Sequence, residues 1–173
     1  MRKFTILFAV SLFMIGFAST SYAQTDVKTA TATANATIIT PIAITKVNDL
    51  NFGNIVATTT GGTVVLTPAG ARTEAGVQLP AVTGTVSAAS FTVTGQDGYA
   101  YSVTLPADGY AIKTGTGTAT ETMTLTSFIS NTTGTLTGGT ETLSVGATLN
   151  VVANQAAGTY IGASPFDVKV NYN

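Results

Sequence analysis

From residue 24 to its end the chain is written in steps of two. The last stretch is the clearest: Phe166, Val168, Val170 and Tyr172 alternate with Asp167, Lys169, Asn171 and Asn173. Neighbouring side chains of a strand point to opposite faces, so this run predicts one apolar and one polar face. Tyr99, Tyr101, Val103 and Leu105 alternate with Ala100, Ser102 and Thr104, and Val145, Ala147, Leu149 and Val151 repeat the pattern. Phe91 with Val93, Val64 to Leu66, and Met123 with Leu125 are shorter instances. Thr, Val and Ile dominate, and branching at Cβ suits a pleated, half-buried surface. No segment carries an apolar i, i+3, i+4, i+7 stripe with caps, so no long helix is expected after residue 23.

The punctuation agrees. Gly95-Gln96-Asp97-Gly98 separates two alternating runs and predicts a hairpin with a short loop. Pro106-Ala107-Asp108-Gly109 is turn chemistry, and Gly138-Gly139 between Leu136 and Leu143 predicts another hairpin. Thr114 to Thr120 is a Thr/Gly-rich loop. Short strands with turns at this spacing suggest a sandwich or a barrel. No repeat of fixed period and no linker divides the chain.

The first residues read as an address. Arg2 and Lys3 precede an apolar run from Phe4 to Ala18, and Ser21-Tyr22-Ala23 follows with small residues at its first and third positions. This is the pattern of a secretory signal cleaved after Ala23, leaving one domain over residues 24–173. The run is short of the roughly 20 residues a span needs, so no membrane anchor is expected once the signal is removed. The expected location is periplasmic, cell-surface or extracellular. Cleavage turns 7 basic and 8 acidic residues into 5 and 8, a net charge of −3.

Composition closes several chemistries. The chain has no Cys and no His. A disulfide, a thiolate nucleophile, a Ser-His-Asp triad and the ordinary zinc sites are therefore excluded. A small negative net charge makes nucleic acid an unsuitable partner. Asp97 and Asp108 each precede Gly, where turn geometry explains them, and no D-x-D-x-D loop announces calcium. Gly61-Gly62-Thr63 lacks the lysine and the helix of a phosphate loop and reads as a turn between strands. Lys28, Lys46, Lys113 and Lys169 have solvated surface contexts. Tyr99 and Tyr101 read as core, while Tyr110 and Tyr160, near turns, are weak candidates for stacking on sugar. No catalytic residue, metal ligand or cofactor is expected.

The edges remain. Thr29 to Ala34 alternates Thr and Ala before Ile38-Ile39, a pattern that can form an edge strand or leave and pair elsewhere. The chain also finishes on a strand. Asp167 and Lys169 would point outward there as gatekeepers against accidental pairing. Two outcomes stand side by side: a closed monomer, or strand addition in which one subunit completes another's sheet.

Three stretches carry a family resemblance. They are Ile38-Ile39-Thr40-Pro41-Ile42-Ala43-Ile44, Leu50-Asn51-Phe52-Gly53-Asn54-Ile55, and the run from Val145 through Asn154-Gln155-Ala156-Ala157-Gly158-Thr159-Tyr160 to Tyr172. Between them, Phe91-Thr92-Val93-Thr94-Gly95 and Tyr101-Ser102-Val103-Thr104-Leu105-Pro106 keep the expected order. In these the chain resembles the bacterial domain-of-unknown-function family 4402, and more distantly spore-coat-U-type domains and archaic chaperone–usher pilin subunits. The resemblance implies an all-β, antiparallel immunoglobulin-like sandwich of Greek-key type, with roughly seven to nine strands and one strand short. Many pilin subunits carry a disulfide, and this chain has no Cys.

The leading expectation is an exported, non-enzymatic cell-surface or fimbrial-type structural subunit. Its partners would be itself or other surface subunits, with a periplasmic chaperone, and Phe166, Val168, Val170 and Tyr172 would line a shared core. An adhesin-like module with glycan- or protein-binding loops is the first alternative. A small outer-membrane barrel is the second, although the chain ends in Asn173 rather than an aromatic.

Overall fold

A computed structural model describes residues 26–114 and 121–173. The expected signal segment and residues 115–120 of the Thr/Gly-rich stretch lie outside them. The chain divides into two compact units, Met1–Thr37 and Ile38–Asn173. In the first, residues 26–37 form no strand and every one is exposed. Lys28 and Asp26 pair at 2.5 Å.

The second unit is all-β, with every strand pairing antiparallel. Among the described residues there are ten strands: β1 (Ala43–Asn48), β2 (Gly62–Leu66), β3 (Arg72–Ala75), β4 (Ala89–Thr94), β5 (Tyr101–Thr104), β6 (Tyr110–Thr114), β7 (Glu121–Ser130), β8 (Thr140–Val151), β9 (Ile161–Gly162) and β10 (Lys169–Tyr172). The count exceeds the expected seven to nine. Two of the ten show no apolar alternation: β3 (Arg72-Thr73-Glu74-Ala75) is mostly polar, and β9 is two residues long. Among the described residues no helix is long and apolar enough to cross a membrane.

Eight strands form one sheet, ordered β1-β4-β8-β7-β6-β9, with β2 joined to β8 and β3 to β2; β10 and β5 form a second. The twelve-residue β8 organises the large sheet. Its first half, Thr140–Val145, pairs with β4, and its second half, Ala147–Val151, pairs with β2. Gly146 stands at the hand-over. A Cβ there would lie 2.1 Å from the Leu66 carbonyl oxygen, so only glycine lets the two partners meet on one edge. On the opposite edge β7 follows β8 with a bulge between Thr126 and Ile129. Ser127 takes φ +52° in the bulge, and its N–H donates to Asp108 Oδ1 at 2.7 Å.

The halves of β8 feed two cores. Ala147, Leu149 and Val151 pack with Phe52, Val64, Leu66, Val77 and Leu125. Leu143 and Val145 pack with Ala89, Phe91, Val93, Tyr101 and Leu136. Phe128 touches both.

Two local expectations change. Gly95–Gly98 does not close a hairpin, because β4 and β5 belong to different sheets. The turn bonds instead to residues 136–139: Gly95 N–H donates to Gly139 O and Gly98 N–H to Leu136 O, while Asp97 Oδ1 accepts from Gly138 N–H. The Gly138-Gly139 turn does form, both residues at positive φ between the bridged Thr137 and Thr140. The terminal strand is also shorter than its alternation. Lys169 faces Thr104, which would set Asp167 against Pro106, a residue with no N–H to continue the ladder.

Candidate functional site

Two strand edges carry unused backbone groups on the same side of the second core. Among the described residues β1 ladders only with β4 and β10 only with β5. The far edge of β5 is covered: Tyr101 N–H donates to Gly134 O at 3.0 Å and Leu136 N–H to Tyr99 O at 3.0 Å. β1 and β10 approach one another without a shared ladder. Between them runs a seam.

The seam is apolar because both strands alternate. Ile42 and Ile44 from the β1 side, and Phe166, Val168, Val170 and Tyr172 from the β10 side, all pack on the second core while staying half-buried. Phe166 lies before the strand proper, with its ring centroid 5.6 Å from those of both Tyr110 and Phe128. Asp167 and Lys169 take the opposite parity and are exposed. At the Phe166 end a cleft of about 480 Å³ opens between Lys46, Asn48, Phe91, Ile161 and Phe166.

Tyr172 fastens the other end. Its hydroxyl donates to the Thr40 carbonyl at 2.8 Å and accepts the Gln96 N–H at 2.6 Å. Gln96 Oε1 in turn accepts the Thr40 N–H at 3.2 Å. A Cβ on Gly95 would stand 2.2 Å from the Tyr172 oxygen, so the glycine makes room for this latch. Sequence reading placed Tyr172 on the apolar face and missed the latch, because Thr40, Gln96 and Tyr172 are distant in the chain. Gly95 just after a strand is the only local signal.

A second missed cluster lies under the same core. Tyr101 donates to Glu141 Oε2 at 2.6 Å, and Thr133 gives both its N–H and its hydroxyl to the same carboxylate, at 2.8 and 3.1 Å. Thr132 donates to the Tyr101 oxygen at 3.0 Å. Burial, then the hydrogen bond to Glu141, push the Tyr101 hydroxyl up to about 12. The network ties loop 131–136 to β5 and β8, with Thr133 at its exposed margin.

The other polar candidates have structural partners. Asp97 and Asp108 accept backbone N–H groups, and Lys46 pairs with Asp49 at 2.7 Å. Tyr110 donates to the Ser164 carbonyl, and Tyr160 donates to the Ala156 carbonyl at 2.7 Å. Tyr101 is buried as expected, whereas Tyr99 is exposed and stands edge-on to Tyr172 at 5.7 Å. Gly61 and Gly62 meet backbone, not an anion loop: a Cβ on either would fall within 2.7 Å of a carbonyl oxygen. Among the described residues no three His, Cys, Asp or Glu side chains converge on a metal-sized space.

No curated protein and no solved structure matches the chain. One family does: its sequence model covers residues 42–172, from Ile42, just before β1, to the latch tyrosine. The chain therefore belongs to the family described as Domain of unknown function (DUF4402).

Proposed function

We propose that this protein is an exported, non-enzymatic structural subunit of a surface or fimbrial-type assembly, and that it assembles by strand addition. The observation that carries the reading is the seam. β1 and β10 each keep one free edge beside a row of half-buried apolar side chains. Free edges next to apolar surface are what an added strand uses, with backbone hydrogen bonds giving affinity and alternate side chains giving fit. On this reading the fold is an immunoglobulin-like sandwich of Greek-key type that lacks one strand at the seam. Phe166, Val168, Val170 and Tyr172 line the completed core, while Asp167 and Lys169 keep the exposed face from sticking. The partners are other copies or other surface subunits, held before assembly by a periplasmic chaperone.

Export rests on Arg2, Lys3, the apolar run and Ser21-Tyr22-Ala23. Sequencing of the secreted protein is expected to begin at Gln24. For assembly, native envelope material warmed mildly in detergent is expected to run as a ladder of multiples that collapses to one band on boiling. A single monomer band without heating sinks the proposal.

A further inference from the structure

We propose that the cleft at the Phe166 end of the seam is a binding site for a small uncharged aromatic molecule that carries a hydroxyl or amide group. The site does not depend on strand addition, because one chain builds all of it. β1 and β9 stand at opposite ends of the strand order β1-β4-β8-β7-β6-β9, yet Lys46 and Asn48 of β1 line the same cleft as Ile161 and Gly162 of β9. The sheet therefore curls until its two outer strands face each other across an opening, and the mouths of curled sheets are common ligand sites. The volume of about 480 Å³ lies within the roughly 300–1,000 Å³ of small-molecule sites. The inside of the curl supplies the floor: Ala89 and Phe91 of β4, Leu125 of β7 and Phe52 are buried, with half-buried Ile112 of β6 beside them. Gly162 to Phe166 form a wall that is held in place. Tyr110 donates to the Ser164 carbonyl, the Phe166 ring stands edge-on to Tyr110 at 5.6 Å, and a Cβ on Gly162 would overlap the Tyr110 hydroxyl. Walls fixed by their own contacts need little ordering when a ligand enters.

The lining selects the guest. Four rings, those of Phe52, Phe91, Tyr110 and Phe166, border the cleft, and aromatic pairs attract beyond the area they bury. The charged groups among the described lining residues are Lys46 and Asp49, and they pair with each other at 2.7 Å. No charge is left to receive an ionised ligand, which would be desolvated without a partner. Asn48 and Asn51 stand exposed at the rim. Asn48 Nδ2 donates to Ser90 Oγ, and Asn51 Oδ1 accepts the Gly53 N–H. Among the described residues this leaves Asn48 with a free amide acceptor and Asn51 with free amide donors, the pair that a hydroxyl or a carboxamide can meet. Other occupants fit less well. A sugar would set hydroxyls against the buried floor with nothing to bond them. An added strand finds no run of ladder groups, since β9 is two residues long and β1 is bulged between Lys46 and Asn48.

The test titrates the unassembled mature chain, residues 24–173, with N-phenyl-1-naphthylamine, an uncharged aromatic probe that fluoresces on leaving water. Binding is expected to saturate at one probe per chain. 2-Naphthol is expected to displace the probe, 2-naphthoate at least tenfold less well, decanol at least threefold less well, and glucose not at all. Ala163→Trp, at an exposed position in the wall, fills the cleft and is expected to weaken probe binding at least tenfold. Val152→Trp, exposed and outside the lining, is expected to change it less than twofold. Circular dichroism checks that both variants fold like the wild type, and the displacement series, which needs no variant, decides the matter if Ala163→Trp does not. Probe binding that never saturates, or that is equally strong in the two variants, overturns the site. 2-Naphthoate displacing as well as 2-naphthol overturns the uncharged class, and decanol or glucose doing so overturns the aromatic one.

Discussion

The two cores share one strand and differ in how they are finished. Leu149 in the first and Leu143 in the second are equally buried, at 1% and 0% exposure. The first core is flanked by laddered strands: β2 has partners on both edges, and β7 lies between β6 and β8. The second is covered by the two-stranded sheet, and its outer residues Ile42, Ile44, Val168 and Val170 stay half-buried beside free edges. Both cores have a half-buried margin, but Ile112 and Met123 beside the first sit on strands laddered on both edges, whereas Ile42, Ile44, Val168 and Val170 beside the second adjoin free edges. The halves therefore differ in backbone pairing and not in side-chain burial: an apolar margin beside an unpaired edge can still gain a strand, and one between laddered strands cannot.

That contrast can be broken most directly at the leucines. Leu149→Ala is expected to cost about 4–5 kcal/mol, near the top of the range for such truncations, because its surroundings cannot collapse. Leu143→Ala is expected to cost about 3 kcal/mol, because the seam side can relax inward. Urea denaturation of unassembled protein measures both, and equal losses would erase the distinction.

The next effect is on pH. The Tyr101 hydroxyl is raised to about 12 in the folded protein against an ordinary value of 10.0. The folded state therefore holds its proton more tightly than the unfolded state. The stabilisation is fully present below pH 10 and is lost as pH rises from 10 to about 12, on the order of 2–3 kcal/mol. Spectrophotometric titration near 295 nm should show Tyr101 titrating late, alongside a Tyr110 also raised by burial, and the second core should loosen as Tyr101 ionises. Glu141→Gln is expected to move that titration back toward 10 and to cost about 1–2 kcal/mol, through loss of the charged acceptor shared by Tyr101 and Thr133.

Tyr172→Phe is expected to cost about 1 kcal/mol in the monomer, since the ring keeps its packing while the Thr40 and Gln96 bonds go. The smallest change is at Asp167 and Lys169. Replacing both with Thr should alter monomer stability by less than about 0.5 kcal/mol, because both are exposed and neither forms an ion pair among the described residues. Light scattering should nonetheless show more non-specific association, if they act as gatekeepers.

Much of the fold was legible in the alternation. The apolar parity of β4, β8 and the terminal run, the absence of a long helix among the described residues and the Gly138-Gly139 turn follow from local rules. Each depends only on which way neighbouring side chains point and which residues accept positive φ. The Gly95–Gly98 turn misled because the same residues suit a two-strand hairpin and a crossing between sheets, and only the competing partner at residues 136–139 separates them. The terminal strand's true start was hidden because it depends on Pro106, more than sixty positions away.

By itself, then, the sequence determined an all-β domain with an apolar terminal face and a small-residue arm, since strand periodicity is a property of neighbours in the chain. Only the tertiary structure decided that β8 is shared between two cores at Gly146 and that Tyr172 latches Thr40. It also decided that β1 and β10 leave their free edges on one seam. These are outcomes of long-range pairing, in which distant segments compete for the same backbone groups, and no local pattern encodes which of them wins.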